Sequence, residues 1–382
     1  MKSALWALGF RPFFLFGCFS GVIALLMWLQ VWLGWQSPAH VHILWHSHEM
    51  IHGFAVAIII GFLYTASQNW TGMRGIHGNL LMLITACWAA GRLSFLIPGL
   101  PPFLVAIVDL SFLPIAGMAL ANYILRRNQR HNLVFLVLLG LLWVSNLVYH
   151  LEVLGWQSGI ARDWLYFAVH IIVLMIIVVT SRIVPFFTEK AVPHYQRRKL
   201  LLVDISLIAS TAIFSVSHVW FGPSQLTALF AASTAVLAFI RWLTWYDWGI
   251  WKIPILWILY IGYLWLIAGF VLSAFSSLGQ VSPSTAVHAF TVGTISTMIL
   301  GVISRVSLGH TGRPIKASTW TIASYVFIIS GSIFRVIGPL LMPSYYHQLI
   351  IASGVLWALA FLSFIIIYSK ILLVPRPDGR PG

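Results

Sequence analysis

Charged side chains are scarce in this sequence: only 8% of its 382 residues are Asp, Glu, Lys or Arg. A soluble globular domain carries about 25% charged residues, so this chain lacks the groups needed to cover a surface that faces water. Hydrophobic residues make up 60% of it, and the mean hydropathy is +0.93. An ordinary soluble enzyme or binding module is excluded, and most of the surface must face lipid.

Cysteine and acidic residues are also few. Cys18 and Cys87 both lie in apolar runs, which excludes a disulfide framework or a CxxC motif. Eight acidic residues against 22 basic ones give a net charge of +14. The basic residues are thinly spread and are not interleaved with exposed aromatics, so we expect no nucleic-acid partner.

Long apolar runs fill most of the chain. In lipid only helices and closed barrels satisfy their backbone groups, and barrel strands alternate apolar and polar residues, whereas these runs are continuous. Because a span needs ~20 apolar residues, the sequence predicts an all-α integral membrane protein, a single polytopic domain over residues 1–382 with about twelve transmembrane helices. We place the spans near residues 12–35, 46–66, 79–98, 102–125, 132–154, 164–187, 200–220, 225–245, 254–275, 284–304, 319–341 and 346–373.

The Lys and Arg residues favour one orientation. With the N-terminus inside, all but three of the 22 Lys and Arg residues fall on inner segments, the exceptions being Arg92, Arg162 and Arg335. Cytoplasmic loops are enriched in these residues. The sequence therefore predicts a multi-pass inner-membrane protein with both termini in the cytoplasm.

Histidines gather in the outer halves of several predicted spans. Ionisable groups inside a membrane are costly and are candidates for function, and imidazole is the commonest metal ligand and a usual haem ligand. Spans 2, 5, 6 and 10 each bring imidazole to this level. The candidate metal ligands are His46, His48, Glu49, His150, His170 and His288.

Residues 48–52 of span 2 match H-E-x-x-H, the helix signature of zinc proteases. Intramembrane zinc proteases also need a third ligand, usually an Asp near a Gly, and the surroundings of Asp109 and Asp204 do not resemble that context. Pairing with Arg92 across a short hairpin offers a structural explanation for Asp109. A chance match in a His-rich segment is therefore favoured over the protease.

Spans 6 and 10 end alike, in Ser181-Arg182 and Ser304-Arg305. The two arginines either snorkel to the interface or bind an anionic group such as a propionate, a headgroup or an oxyanion. Spans 2, 6 and 10 are also four apart in order, which suggests a three-fold arrangement of four-helix units.

Four segments resemble signature segments of the NnrS family and occur in the family's order. They are Gly9–Phe14, Trp45–Met50, Asn69–Gly72 and Ser307–Pro314. The resemblance implies a bacterial inner-membrane protein of about twelve spans that contains haem and copper and relieves nitric oxide and nitrosative stress, often beside denitrification genes. The segments with His46, His48, Glu49, His288 and His310 match the family pattern, whereas His52 and His170 lie outside it.

A fainter similarity connects the chain to the catalytic subunit of haem–copper oxidases, which has twelve spans with ligands on spans 2, 6 and 10. This chain lacks that subunit's His-His pair, the His-x-His on span 10 and the His-x-x-x-Tyr of the copper site. An oxygen-reducing centre of the usual kind is not supported.

The resemblance leads to specific expectations for the site. We expect cofactor binding by His46, His48, His288 and His310, and by Arg182 and Arg305 if they bind propionates. Two residues of one helix cannot hold opposite faces of a haem, so we predict that His288 faces His46 or His48 across the iron. The other histidine of span 2 would then hold copper with His150 or His170. The expected partners are nitric oxide or a related small molecule, membrane lipid and an electron donor.

A rival hypothesis is a transporter that moves copper, haem or a small anion along a path lined by histidines. The residues leave open whether nitric oxide would be turned over, bound or sensed. In a transporter the same histidines would bind their cargo in passing.

The predicted orientation is tested by reporter fusions. Fusions in the loops at 126–131 and 188–199 should report the cytoplasm, and fusions at 36–44 and 155–162 the periplasm, because of the Lys and Arg bias. Reversed signals would place the histidines on the cytoplasmic side.

Overall fold

A computed structural model describes residues 4–38, 40–198 and 200–380. Within these ranges the chain is helical and has no strands. Its long helices are α1 Phe10–Trp32, α2 Ile43–Thr71, α3 Gly78–Ser94, α4 Pro102–Arg126, α5 Leu133–Val153, α6 Ala161–Ala191, α7 Leu201–Phe221, α8 Gln225–Trp245, α9 Pro254–Ser277, α10 Pro283–His310, α11 Thr319–Val336 and α12 Tyr346–Leu373. Short turns of helix lie at Arg130–Asn132, Trp248–Lys252, Gly338–Leu341 and Pro343–Tyr345.

Eleven of the described helices are long and apolar enough to cross a membrane. The remaining one, α3, has 17 residues, which at 1.5 Å per residue gives a length of about 25 Å. The prediction of an all-α membrane protein with about twelve transmembrane helices is confirmed.

Ordinary start signals fix several helix ends. Proline occupies the first turn of α4, α9 and α10, where its missing N–H has no partner to lose. Ser224 and Ser318 cap α8 and α11 by accepting hydrogen bonds from the backbone N–H groups of Thr227 and Thr321. Most loops between the described helices are short.

The described helices group into two compact units that are interleaved in sequence. Unit 1 contains the chain up to Ala168, Arg305–Ile315 and the chain from Phe361, and unit 2 contains Val169–Ser304 and Lys316–Ala360. Whether the whole chain behaves as one domain, as its short loops suggest, stays a prediction.

Unit 1 is built on close contact between α1 and α2. A Cβ atom added at Gly61 would lie 2.7 Å from the Phe13 Cβ atom, and one at Gly21 would lie 2.8 Å from the Phe54 ring. Small residues let helix backbones approach each other in membranes, where dispersion contacts replace the hydrophobic driving force. The aromatic core beside this contact includes Phe13, whose ring meets the Tyr64, Trp88 and Phe112 rings.

Unit 2 has a similar close contact at glycine residues, between α9 and α10. A Cβ atom at Gly269 would lie 2.4 Å from the Phe290 ring, and one at Gly301 would lie 2.8 Å from a Leu259 methyl group. Phe290 also packs edge-on against Phe270, with ring centroids 5.0 Å apart. Glycine thus sets the distance between neighbouring helices in both units.

Arg11 explains one of the four segments noted in the sequence. Its side chain is fully buried in unit 1, and Nη1 donates to the carbonyl groups of Leu372 at 2.7 Å and Val374 at 2.9 Å. A helix leaves its last carbonyl groups unpaired, and a cation is favoured there. Arg11 therefore caps the end of α12 and has a structural role.

The glycine contact gives a testable consequence. Gly61→Ala should lower the free energy of unfolding in detergent by about 1–3 kcal/mol, because overpacking forces α1 and α2 apart. Gly140→Ala in α5 is the control, since a Cβ atom there meets nothing within 4 Å. Equal thermal stability of the two variants would contradict the packing.

Candidate metal centre

The second helix changes its winding where its histidines lie. Glu49–Ala55 is π-helical, between α-helical segments Ile43–His48 and Val56–Thr71. Short π-helical stretches inside α-helices are often found at functional sites. Here His48 and His52 lie side by side, with ring centroids 5.1 Å apart, and both are buried. The apolar pattern of span 2 does not predict this change in winding.

Asp109 of α4 lies at the centre of a buried polar cluster in unit 1. Its Oδ2 is 3.1 Å from His48 Nε2 and 2.9 Å from His150 Nε2, and it accepts a hydrogen bond from Asn146 Nδ2 at 2.8 Å. Its Oδ1 contacts Arg92 Nη2. The predicted pairing of Arg92 with Asp109 is present, and the same carboxylate also contacts His48, His150 and Asn146.

Both ring nitrogens of His48 face oxygen acceptors. Nδ1 lies 3.1 Å from Glu49 Oε1, and Nε2 lies 2.7 Å from Asn146 Oδ1 as well as near Asp109. A neutral imidazole carries a single N–H donor. The second oxygen acceptor at the His48 ring is therefore better matched by a bound cation than by the neutral ring alone.

The fixed charges of the cluster also favour a bound cation. Glu49 and Asp109 supply two negative charges, and Arg92 supplies one positive charge through Nη1 to Glu49 Oε1 at 2.6 Å and Nη2 to Asp109. With neutral imidazoles the cluster keeps one negative charge. Because an uncompensated buried charge is costly in a membrane, the cluster favours one further cation.

Three of these groups have the arrangement of metal ligands. One ligand atom each from His48, Asp109 and His150 lies within 4.8 Å of the others, and all three residues are buried. The Tyr149 ring stacks on the His48 imidazole at 4.2 Å, which fixes its plane. His48 and His150 are thus the predicted ligands that the structure brings together.

His52 is the buried neighbour of this group. It is 3% exposed, and neither of its ring nitrogens has a hydrogen-bond partner among the described residues. A buried polar group without a partner is costly unless a ligand or ion pairs with it. His52, which the family resemblance left out, is therefore a candidate fourth donor.

Other predicted residues lie elsewhere. His46 stacks on Trp28 of α1, with ring centroids 5.0 Å apart. In unit 2, His170 packs beside His218 of α7 at 5.1 Å, a neighbour that the sequence did not single out.

His288 belongs to unit 2 and has a polar neighbourhood of its own. Its Nδ1 donates to the Ser284 carbonyl oxygen at 2.6 Å, and its Nε2 faces Arg335 Nη2 at 3.3 Å. His288 and the span-2 histidines belong to different units, and their predicted pairing across a haem stays a prediction.

The remaining predicted cofactor residues lie in the last third of their helices. The His310 ring packs at 5.8 Å from Phe10, and its carbonyl oxygen accepts from Arg376 Nη1 at 2.8 Å. Arg376 also hydrogen-bonds Asp378, which holds the pKa of that carboxyl below its ordinary value. Arg305 is buried in α10 and Arg182 is exposed on α6.

Helices α2 and α10 repeat each other at an offset of 240 residues, as from position 48 to position 288. The shared pattern is His-x4-Gly-x7-Gly-x5-Ser-x3-Thr-Gly, from His48 to Gly72 and from His288 to Gly312. A π-helical segment starts directly after the histidine in both helices. Both copies end with a threonine hydroxyl donating at 2.6 Å to a carbonyl four residues earlier and a left-handed glycine, at φ 67 and φ 68. Spans 2 and 10 are thus related, while α6 is one uninterrupted α-helix.

The H-E-x-x-H match does not present a free general base. Glu49 is 4% exposed and is bound by Arg92 Nη1 and His48 Nδ1. A zinc protease needs that carboxylate to take a proton from water. The ion pair with Arg92 instead makes Glu49 a structural partner of the cluster.

Sequence reasoning missed the full role of Asp109 and the presence of Asn146. Asn146 lies four residues before His150, so both side chains share one face of α5. That spacing of polar residues in an apolar span was the available signal.

The fold and this cluster define a polytopic all-α membrane protein with a buried histidine–carboxylate centre. The sequence profile named NnrS protein matches residues 4–376, and the chain belongs to the NnrS family. It is therefore a membrane protein of the nitric oxide response, in a metal-binding family. No curated protein matches the sequence.

Removing the central charge tests the cluster. Asp109→Asn should lower the free energy of unfolding by about 1–3 kcal/mol, because the amide has one acceptor oxygen in place of two and leaves buried donors of Arg92, Asn146 and His150 without a partner. Asp163→Asn, on the exposed first turn of α6, is the matched control and should cost less than about 1 kcal/mol. Similar melting curves for both variants would show that Asp109 is not the centre of a buried network.

Proposed function

We propose that this chain is a bacterial inner-membrane metalloprotein that relieves nitric oxide stress with copper at the His48–Asp109–His150 cluster and haem at His288. One observation carries the copper site: two imidazoles and one carboxylate, all buried, converge in a cluster that keeps one negative charge. The predicted orientation puts this cluster in the outer half of the membrane, with both termini in the cytoplasm.

The donor set supports a transition metal. Imidazole nitrogen suits copper, zinc and iron, whereas calcium and magnesium take oxygen donors. Arg92 and Asn146 hold the Asp109 carboxylate in place, and outer partners of this kind orient metal ligands. His52 would complete the donor set, because its unpaired nitrogens lie next to His48.

The surroundings of His288 would suit a histidine that holds haem iron. Donation from Nδ1 to the Ser284 carbonyl oxygen places the proton on Nδ1 and leaves the lone pair on Nε2. Metal-bound histidines commonly donate their other N–H to a carbonyl group in this way. Arg335 Nη2 donates to this Nε2 at 3.3 Å, so the arginine would have to release the ring for haem to bind and would then pair with a propionate.

The protein's own contribution is to hold these groups away from water. His48, His150 and Asp109 are each at most 4% exposed, so no bulk water competes for their donor atoms. When bound, a copper ion or haem iron supplies the coordination position at which nitric oxide or a related small molecule binds. An electron donor would be needed for turnover, and binding or sensing would not require one.

Metal analysis of purified variants tests the copper site. His48→Ala and His150→Ala should each lower the copper content at least about tenfold, as loss of a ligand exceeds the 10–100-fold cost of losing an outer partner. His131→Ala, at an exposed position between α4 and α5, is the control and should retain the metal. Glu49→Gln should retain the copper or bind it only somewhat more weakly.

Two outcomes would overturn the copper site. One is zinc or iron as the only metal of the pure protein, and the other is full copper content in both His48→Ala and His150→Ala. Circular dichroism of each variant separates loss of the metal from loss of the fold. Protease activity that disappears in Glu49→Gln while zinc stays bound would favour the H-E-x-x-H interpretation.

Haem is tested separately by absorbance. His288→Ala should remove or shift the haem spectrum, and His347→Ala in the first turn of α12 should leave it unchanged. An unaltered spectrum in His288→Ala would contradict haem binding by His288 and would leave the copper site untouched.

A further inference from the structure

Unit 2 contains a basic cavity that the metal centre does not use. It has a volume of about 250 Å³ and lies where the end of α6, the start of α7 and the end of α8 meet. The arginines that line it are Arg182, Arg197, Arg198 and Arg241, and the carboxylate that lines it is Asp204. Drug-sized ligands need roughly 300–1,000 Å³, so the cavity suits a smaller charged group.

Arg241 is the buried cation of this cavity. It is 1% exposed, its Nε lies 2.8 Å from Asp204 Oδ1, and its Nη1 donates to the Ile177 carbonyl oxygen at 3.2 Å. Its Nη2 is buried and meets no hydrogen-bond acceptor in good geometry among the described residues, although the Tyr263 hydroxyl lies close enough to interact with the guanidinium. The guanidinium plane also lies over the Trp245 ring at 4.7 Å. Asp204 and Ile177 thus hold the guanidinium in place while one donor stays unsatisfied.

The start of α7 faces the same cavity. Leu200, the residue before the helix, offers no side-chain cap to the first backbone N–H groups, and Leu200 and Val203 both line the cavity. Uncapped N–H groups and the positive end of the helix dipole attract anions. The hydroxyl groups of Ser181 and Thr244 add further donors to the lining.

The charges that face the cavity remain positive after the nearby acids are counted. Asp204 offsets Arg241, and Glu189 lies 3.7 Å from Arg197. Arg182 and Arg198 complete a lining of four guanidinium groups against one carboxylate. Arginine forks match tetrahedral oxyanions through paired hydrogen bonds.

We infer that this cavity binds a phosphate group, held by Arg241, Arg182 and Arg198 at the uncapped start of α7. The group belongs either to an anionic phospholipid or to a free phosphate ion, since both present the same oxygens. Basic pockets between transmembrane helices commonly take lipid headgroups on the cytoplasmic side, where this end of α6 is predicted to lie. The site is independent of the metal centre in unit 1.

The test compares binding in the full-length protein purified in an uncharged maltoside detergent. One arm titrates inorganic phosphate and follows binding by thermophoresis. The other adds phosphatidylglycerol and counts retained lipid by native mass spectrometry. Arg182→Gln and Arg198→Gln change arginines that lie exposed at the cavity, whereas Arg130→Gln removes an exposed arginine elsewhere.

Each cavity variant should weaken binding by about two- to fivefold, the range of partly exposed ion pairs. Arg130→Gln should bind like the wild type. Asp204→Asn should bind more tightly, because it removes the carboxylate that competes for Arg241. A gain of affinity is a result that simple structural damage would not produce.

The two arms also identify the source of the phosphate. The expected order of affinities is Asp204→Asn tightest, then the wild type and Arg130→Gln, then Arg182→Gln and Arg198→Gln. If phosphate binding follows this order, the ligand is a free phosphate ion. If only lipid binding follows it, the ligand is a phospholipid headgroup. If Arg182→Gln, Arg198→Gln and Asp204→Asn all match the wild type in both arms, or if nothing binds in either, the inference is wrong.

Discussion

The buried carboxylate of Asp109 is the group on which the polar interior of unit 1 depends. A negative charge inside a membrane must be compensated, and α2, α3 and α5 each supply a group that does so: His48, Arg92 and His150. These groups satisfy Asp109 and at the same time restrict one another, since Arg92 also holds Glu49 and Glu49 holds His48. One charge therefore sets the positions of side chains from four helices.

The backbone of α2 supports this arrangement. Its π-helical segment includes Gly53, where a Cβ atom would lie 2.8 Å from Glu49 Oε2 and 3.0 Å from Arg92 Nη1. The carbonyl oxygen of Gly53 accepts a hydrogen bond from Trp88 Nε1 at 3.0 Å. Glycine at this position lets the Arg92 side chain pass close to α2. The equivalent Gly293 in α10 makes room for the Trp265 ring instead. The repeated glycine therefore allows a charged contact in unit 1 and an aromatic contact in unit 2.

The two proposed sites use opposite charge balances. The cluster of unit 1 keeps one negative charge and suits a cation, whereas the cavity of unit 2 keeps positive charge and suits an anion. Both obey the same constraint, because a charge removed from water needs a partner or a ligand. Arg11 is a buried charge whose partners belong to the protein itself, because its guanidinium caps the carbonyl groups at the end of α12.

The sequence by itself determined the membrane class, the number of spans within one and their approximate bounds, because apolar length and the lack of charge are local properties of the chain. It also determined that His48 and His150 were candidate ligands, since any imidazole in a span is unusual. The tertiary structure decided which of these meet: His48 and His150 share Asp109, His46 stacks on Trp28, and His170 lies beside His218. The shift to π-helical winding after His48 and His288 could not be predicted from the apolar pattern, because wider turns leave the apolar run unchanged while they rotate the side chains that follow. Contacts between helices far apart in sequence, such as Asp109 with His48 and His150, depend on how the helices pack, and no single span contains that information.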